Sequence, residues 1–354
     1  MARNVSGTPS GNHPQFESCS RHFIEHAQPL VTHPYSTLTP DLVVESIEAV
    51  GYVPDGRVLA LNSYENRVYQ VGRDDGLPVV VKFYRPGRWT TPAILEEHEF
   101  ALELERAEVP VVAPEVHGGR TLFEISGFRY AVYRRQGGHW PELGTRDERL
   151  WMGRFLARIH AIGRTRPFRH RARLDWRAMG RESADYLLQE GWIPPHVELA
   201  YASLADDALA LVAQRFAEAT PYRNLRLHGD CHPGNVLWTD AGPHFVDFDD
   251  SLMGPAVQDL WMLLSGRHDE MSMQLHDLLE GYGEFADFDY HELALIEPLR
   301  TLRIMHYAGW LARRWDDPAF PRAFPWFEEP KYWEQHVLDL REQLAAMEEP
   351  PLTA

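Results

Sequence analysis

The chain has 354 residues, enough for two lobes with separate cores, and its 44% hydrophobic content with 12% aromatics suits a globular protein. Its 52 acidic residues outnumber 35 basic ones, and the resulting formal charge of −17 argues against broad binding of nucleic acid or anionic membrane through a basic face. No apolar run reaches the about 18 residues that a membrane span needs, and with only Cys19 and Cys231 present no disulfide framework is expected and a cytoplasmic location is.

Residues 1–33, beginning "MARNVSGTPSGNHPQFESCSRHF", lack the apolar stretch of a signal peptide and read as a disordered extension. From residue 34 to 135 the pattern is mainly strands with embedded helix. "TLTPDLVVESIEAVGY" is a short helix with Thr39 or Asp41 at its start and Gly51 at its end. "RVLALNSYENRVYQVG" gives two alternating runs around the polar turn "NSYEN". "LPVVVKFYRPGRW" is an apolar strand stopped by Pro86. "TPAILEEHEFALELERAEVP" is a helix offering Leu95, Phe100, Leu102 and Leu104 to the core, and "TLFEISGFRYAVYRR" is a hairpin turning at Ser126-Gly127.

After the connector "QGGHWPELGT", helical patterns dominate residues 136–354, among them "RDERLWMGRFLARIHAIGR", "GPAVQDLWMLLSG" and "HELALIEPLRTLRIMHYAGWLARRW". Two short apolar segments, "NVLW" and "HFVDF", stand apart from them and form a hairpin through "TDAGP". A small strand-rich lobe therefore precedes a larger helical one. The cleft between them is the natural ligand site.

The densest chemistry lies in "LHGDCHPGNVLW", where Asn235 follows Asp230 by five positions and Asp247 comes twelve later, beyond the hairpin. Phosphoryl transfer needs a carboxylate to take the acceptor hydroxyl's proton, and a second carboxylate with a carboxamide oxygen to hold Mg²⁺ on the nucleotide phosphates. The spacing D-x-x-x-x-N, with His228 two positions before the Asp, is that of the kinase catalytic loop. A cation from the first lobe is also required. Lys82 in "VVVKFY" supplies it, and an acid on the following helix must orient it: Glu97 first, Glu99 second. Cys231 has no acyl-transfer motif or second zinc-ligand cluster beside it and reads as a packed thiol.

"LHGDCHPGN", "FVDFDD" and "GPAVQDLWMLL" resemble the aminoglycoside phosphotransferase/choline kinase branch of the protein-kinase-like fold. With "LNSYENRVYQV", "VVKFYRPGRW" and "EPLR" the chain resembles the bacterial stress response kinase A (YihE/RdoA) family over about Thr37 to Pro351. The resemblance implies an α+β, two-lobed protein-kinase-like fold, with a small antiparallel-sheet N-lobe and a larger, mainly helical C-lobe. It implies a cytoplasmic, monomeric, ATP-dependent serine/threonine protein kinase acting on a protein substrate. Asp230 would be the catalytic base, Asn235 and Asp247 the Mg²⁺ ligands, Lys82 the ATP lysine and Ser63 a nucleotide contact. Asp259 would buttress the catalytic loop by accepting backbone hydrogen bonds.

Two departures from the general kinase pattern qualify the acceptor. No G-x-G-x-x-G is present, so Ser63 and Asn66 are the expected side-chain donors to phosphate in its place. "DFD" replaces D-F-G, leaving Asp249 as a metal ligand, an aid to hydroxyl activation or a loop cap. Both departures suit the phosphotransferase branch, so a small-molecule kinase acting on an amino alcohol or aminoglycoside is the alternative. His232 stands where protein kinases often carry a phosphate-binding lysine, and "FPRAFPWFEEPKYW" is either packing or the lining of a substrate groove.

Overall fold

The computed structural model describes residues 33–353, so the expected extension over residues 1–33 lies, His33 apart, outside the described residues. Helix α1 (Pro40–Glu48) opens the fold, with the Thr39 hydroxyl accepting from the Leu42 N–H at 3.3 Å as its cap. Five antiparallel strands follow in spatial order β1-β2-β3-β5-β4: β1 (Pro54–Ala60), β2 (Arg67–Arg73), β3 (Val79–Phe83), β4 (Phe123–Ile125) and β5 (Phe128–Arg134). Strand alternation divides β3 between two environments. Val79, Val81 and Phe83 enter a core with Val43 and Ile47 of α1, while Val80 and Lys82 line the cleft on the opposite face. Lys82 pairs in register with Val68 of β2 and Ala131 of β5.

Helix α2 (Thr91–Arg106) is capped by Thr90 and buries Ile94, Glu97, Phe100, Ala101 and Leu104, the three-and-four spacing of one helical face. Leu95, expected in the core, falls off that face and is 43% exposed.

The helical lobe begins with α3 (Arg146–Gly163), followed by α4 (Glu182–Gln189) and α5 (Pro195–Glu218). Later come α6 (Val257–Trp261), α7 (His268–Gly283), α8 (Ile296–Arg313), α9 (Ala319–Ala323) and α10 (Pro330–Glu348). α3 and α7 approach closely through glycines: a Cβ on Gly153 would lie 2.0 Å from the Leu278 carbonyl oxygen, and one on Gly281 would lie 2.2 Å from that of Leu150. Two small sheets interrupt the helices. β6 (Leu225–Leu227) pairs with β9 (Leu252–Gly254), and β7 (Val236–Thr239) with β8 (Gly242–Phe245), all antiparallel.

Two expected helices are shorter than their sequence patterns. In "GPAVQDLWMLLSG" only Val257–Trp261 is helical, and Leu263 and Leu264 beyond it are buried outside the helix. In "HELALIEPLR" the α-helix starts at Ile296, with Pro298 in its first turn, where a missing N–H costs nothing. The aromatic run resolves as packing: Phe320, Phe327 and Trp333 are buried, with Phe327–Trp333 ring centroids 5.1 Å apart. Among the described residues, no helix is long and apolar enough to cross a membrane.

Candidate active site

A cavity of about 870 Å³ lies between the sheet and the helical lobe, within the size range of small-ligand sites. Val80 and Lys82 of β3 and Glu97 of α2 line one side, and Asp230, Asn235 and Asp247 line the other. The hairpin β7–β8 brings the last two together, because Asn235 immediately precedes β7 and Asp247 follows β8 by two residues. The Val246 N–H donates to the Asn235 carbonyl at 3.0 Å, tying the hairpin's open end.

Lys82 Nζ lies 2.9 Å from Asp247 Oδ1 and 3.3 Å from both Glu97 Oε1 and Asp249 Oδ1. Burial alone would drive the proton off this amine, but Asp247, Asp249 and Glu97 outweigh it and hold the pKa well above the usual lysine value. Glu97 faces Lys82, whereas Glu99 pairs with the exposed Arg166 at 2.8 Å. Glu96 accepts the backbone N–H groups of Arg169, His170 and Arg171 at 2.7–3.1 Å, fastening α2 to the helical lobe.

The loop Leu227–Asn235 is built around a buried carboxylate. Asp259 accepts the N–H groups of His228 and Gly229, each at 2.8 Å, and lies 3.1 Å from His160 Nε2. Gly229 has φ +88°, and a Cβ there would lie 2.1 Å from the Asp250 carbonyl oxygen, so this loop and the Asp247 loop touch only because the side chain is a hydrogen. His228 closes the gap from the other side: its Nε2 donates to the Val246 carbonyl at 2.9 Å, and its ring packs 4.5 Å from that of Phe248. These contacts are architectural. Cys231 is fully buried, and burial pushes its thiol pKa well up, opposite to the demand on a nucleophile.

Asp230 Oδ1 accepts from Arg303 Nη1 of α8 at 2.6 Å, and His232 Nε2 lies 3.5 Å from Oδ2. Burial raises the Asp230 pKa, but His232 and Arg303 more than reverse this and keep it below the usual carboxylate range. Asp230 is therefore held as an anion facing the cavity. Asn235 donates through Nδ2 to the Asp230 carbonyl at 2.9 Å, which leaves its amide oxygen as the acceptor atom. Asp247, at φ 58° and ψ 66°, adopts the left-handed conformation that Asp tolerates better than most residues.

Among the described residues no group of three or more His, Cys, Asp and Glu is arranged as a metal cage. Mg²⁺ does not need one, since it takes one or two protein oxygens and completes its shell with water and substrate phosphates. The Asn235 amide oxygen and Asp247 carboxylate fit that demand. Asp249 is committed elsewhere: it pairs with Lys82 and Arg88, and Oδ2 accepts from Asn66 Nδ2 at 3.1 Å. Asn66 and Ser63, the expected phosphate donors, also make contacts within the protein. Asn66 bridges Asp249 and the Arg85 N–H, and Ser63 Oγ donates to the Asn66 carbonyl at 3.2 Å, although both residues line the cavity.

Arg88, Arg171 and Arg303 escape sequence reasoning. Arg88 stands in "RPGRW" with no spacing to distinguish it from a surface arginine. Arg171 is buried, and its guanidinium binds the Ser251 carbonyl at 2.7 Å and Glu97 at 3.5 Å, joining α2 to the Asp247 loop.

The phosphotransferase enzyme family matches residues 57–296. Stress response kinase A of Escherichia coli (strain K12) is 45% identical over 318 residues, covering 90% of this chain and 96% of that protein. The chain belongs to the stress response kinase A family of phosphotransferases. A second relative, serine/threonine protein kinase RdoA of Salmonella typhimurium, is 44% identical over the same shares of the two chains. Among solved structures, the amicoumacin kinase hAmiN, in complex with AMP-PNP, Ca²⁺ and Ami, superposes with a TM-score of 0.66 at 19% identity, over 88% of this chain and 94% of that one. The fold is thus the expected two-lobed kinase-like α+β architecture. The protein is a kinase.

Proposed function

We propose that this kinase transfers the γ-phosphoryl group of ATP to serine or threonine hydroxyls of a protein, with Mg²⁺ as its metal. The observation that carries the reading is one cavity holding Lys82–Glu97 on the sheet side and Asp230, Asn235 and Asp247 on the helical side. The choice of acceptor rests on the 44–45% identity to relatives named stress response kinase A and serine/threonine protein kinase RdoA.

Lys82 presents a charged amine to the nucleotide phosphates, and Glu97 holds it against the floor of the cleft. Asn235 and Asp247 would hold Mg²⁺, which supplies neutralisation of the phosphate charge when bound. Asp230 accepts the acceptor hydroxyl's hydrogen bond and takes its proton as the oxygen attacks. Its low basicity suits this chemistry, because a loose transition state asks the base mainly to orient the hydroxyl until late in transfer.

Incubation with γ-labelled ATP, Mg²⁺ and a mixed protein acceptor should put label on serine and threonine. Label only on an added amino alcohol or aminoglycoside would move the acceptor to the small-molecule class. Absence of ATP turnover with either acceptor would overturn the reading.

A further inference from the structure

The segment "NSYENR", the loop from β1 together with Arg67 at the start of β2, borders the cavity and contains no glycine. Ser63 braces the loop internally. The next four residues are each gripped by the helical lobe. The Tyr64 ring packs on Phe324 with centroids 4.8 Å apart. Glu65 accepts from Trp310 Nε1 at 2.7 Å and from Arg314 Nε and Nη2 at 3.1 Å. Asn66 donates to Asp249 at 3.1 Å. Arg67 Nη2 donates to both oxygens of Asp317 at 2.9 and 3.0 Å, while its Nη1 donates to the Tyr64 carbonyl at 2.9 Å.

Asp317 holds more than Arg67. It also accepts from Arg85 Nη1 at 3.0 Å, at the end of β3, and from the Ala319 N–H at 3.1 Å, at the start of α9. Its side chain is 1% exposed. A carboxylate so buried is costly unless every partner stays in place. Glu65 poses the opposite problem. An anion in a loop beside bound phosphates repels them unless it is held and neutralised. Arg314 does this directly, with Arg85 and Arg88 each 3.7 Å away.

A glycine-rich loop wraps phosphates with freely turning backbone amides, whereas a loop of polar side chains must be oriented from outside. We infer that Asp317 and Arg314, which line no part of the cavity, are positioning residues for nucleotide. They hold the β1–β2 loop in its phosphate-facing form, Asp317 through Arg67 and Arg85, and Arg314 through Glu65. The inference rests on the proposal that the cleft binds ATP. It makes nucleotide affinity a property of the α8–α9 junction as well as of the cleft.

The test is calorimetric binding of AMP-PNP with Mg²⁺ to the wild type, Asp317→Asn and Arg314→Gln, joined to steady-state kinetics. Arg154→Gln, which breaks a surface pair with Glu284 at 2.8 Å, serves as control. Asp317→Asn and Arg314→Gln should each weaken AMP-PNP binding about tenfold, a typical coupling between sites. The KM for ATP should rise more than kcat falls, and amide hydrogen exchange over residues 62–67 should quicken in nucleotide-free protein. Asp317→Glu should recover part of the affinity, and Arg154→Gln should match the wild type. Wild-type affinity in both test variants overturns the inference, as does a fall in kcat with an unchanged KM. A wild type that does not bind AMP-PNP overturns the ATP proposal beneath it. If Asp317→Asn fails to fold, Arg314→Gln, at a side chain one quarter exposed, decides alone.

Discussion

Replacing Lys82 with alanine removes one cation from among three carboxylates. Taking one partner from a buried ion pair costs about 3–5 kcal/mol when the other is left alone. Here the abandoned acids keep other partners. Glu97 retains Arg171 at 3.5 Å and the Tyr84 hydroxyl at 3.3 Å, and Asp249 retains Arg88 and Asn66. The cost should therefore fall to about 2–3 kcal/mol. With an unfolding entropy of roughly 0.7 kcal/mol/K for a domain of this size, that lowers Tm by about 3–4 °C. The functional loss is separate. Removing a fixed charge from the phosphate site should reduce kcat/KM by roughly 10²–10³-fold, comparable to the loss of one transition-state donor. Calorimetric melting and initial rates of label transfer from γ-labelled ATP, both on Lys82→Ala, measure the two effects. A folded variant with wild-type kcat/KM refutes the role of Lys82, and an unchanged Tm refutes the electrostatic reasoning.

Asp259→Asn should cost about 2–4 kcal/mol and reduce kcat, because the new amide turns N–H groups toward those of His228 and Gly229; urea unfolding beside transfer rates checks both. Gly229→Ala should part the Asp230 and Asp247 loops and lower kcat at least about tenfold, since the added carbon meets backbone and the φ is left-handed. Gly283→Ala, with open space around it, should leave transfer rates unchanged. Glu292 is buried and accepts from the Val257 N–H at 3.0 Å; burial, partly offset by that bond, raises its carboxyl pKa from 4.5 to about 7. Folding thus favours the protonated form, so its stabilising contribution is complete below pH 4.5 and is lost as pH rises through 7. Relative to Glu292→Gln, the wild type should lose about 3 kcal/mol between those limits in urea titrations; a difference independent of pH counts against it.

Which residues meet in the cleft was legible wherever it depended on close sequence spacing. Asp230 and Asn235 share one loop, and Asp247 follows a hairpin whose two apolar segments and polar turn are plain in the sequence. Glu97 was separable from Glu99 through the placement of Leu102 and Leu104 in the same helix, and it is Glu97 that lies 3.3 Å from Lys82. The arginines were not legible. Arg88, Arg171, Arg303 and Arg314 reach their partners across folds of the chain, and nothing local marks an arginine that will pair with a carboxylate far away in sequence. Asn66 illustrates the same limit. Its type suggested a phosphate donor, while its tertiary contacts with Asp249 and Arg85 could not be read from local sequence. The β6–β9 pair was missed because three-residue strands carry no periodicity to read.

The central claim is that Asp230 and Asp247 carry phosphoryl transfer in the interlobe cleft. Its most direct measurement is the rate of label transfer from γ-labelled ATP to protein serine and threonine by the wild type, Asp230→Ala and Asp247→Ala, each shown to melt cooperatively. Both variants should retain the fold and lose transfer by at least about 10²-fold. Transfer near the wild-type rate in either folded variant would contradict it.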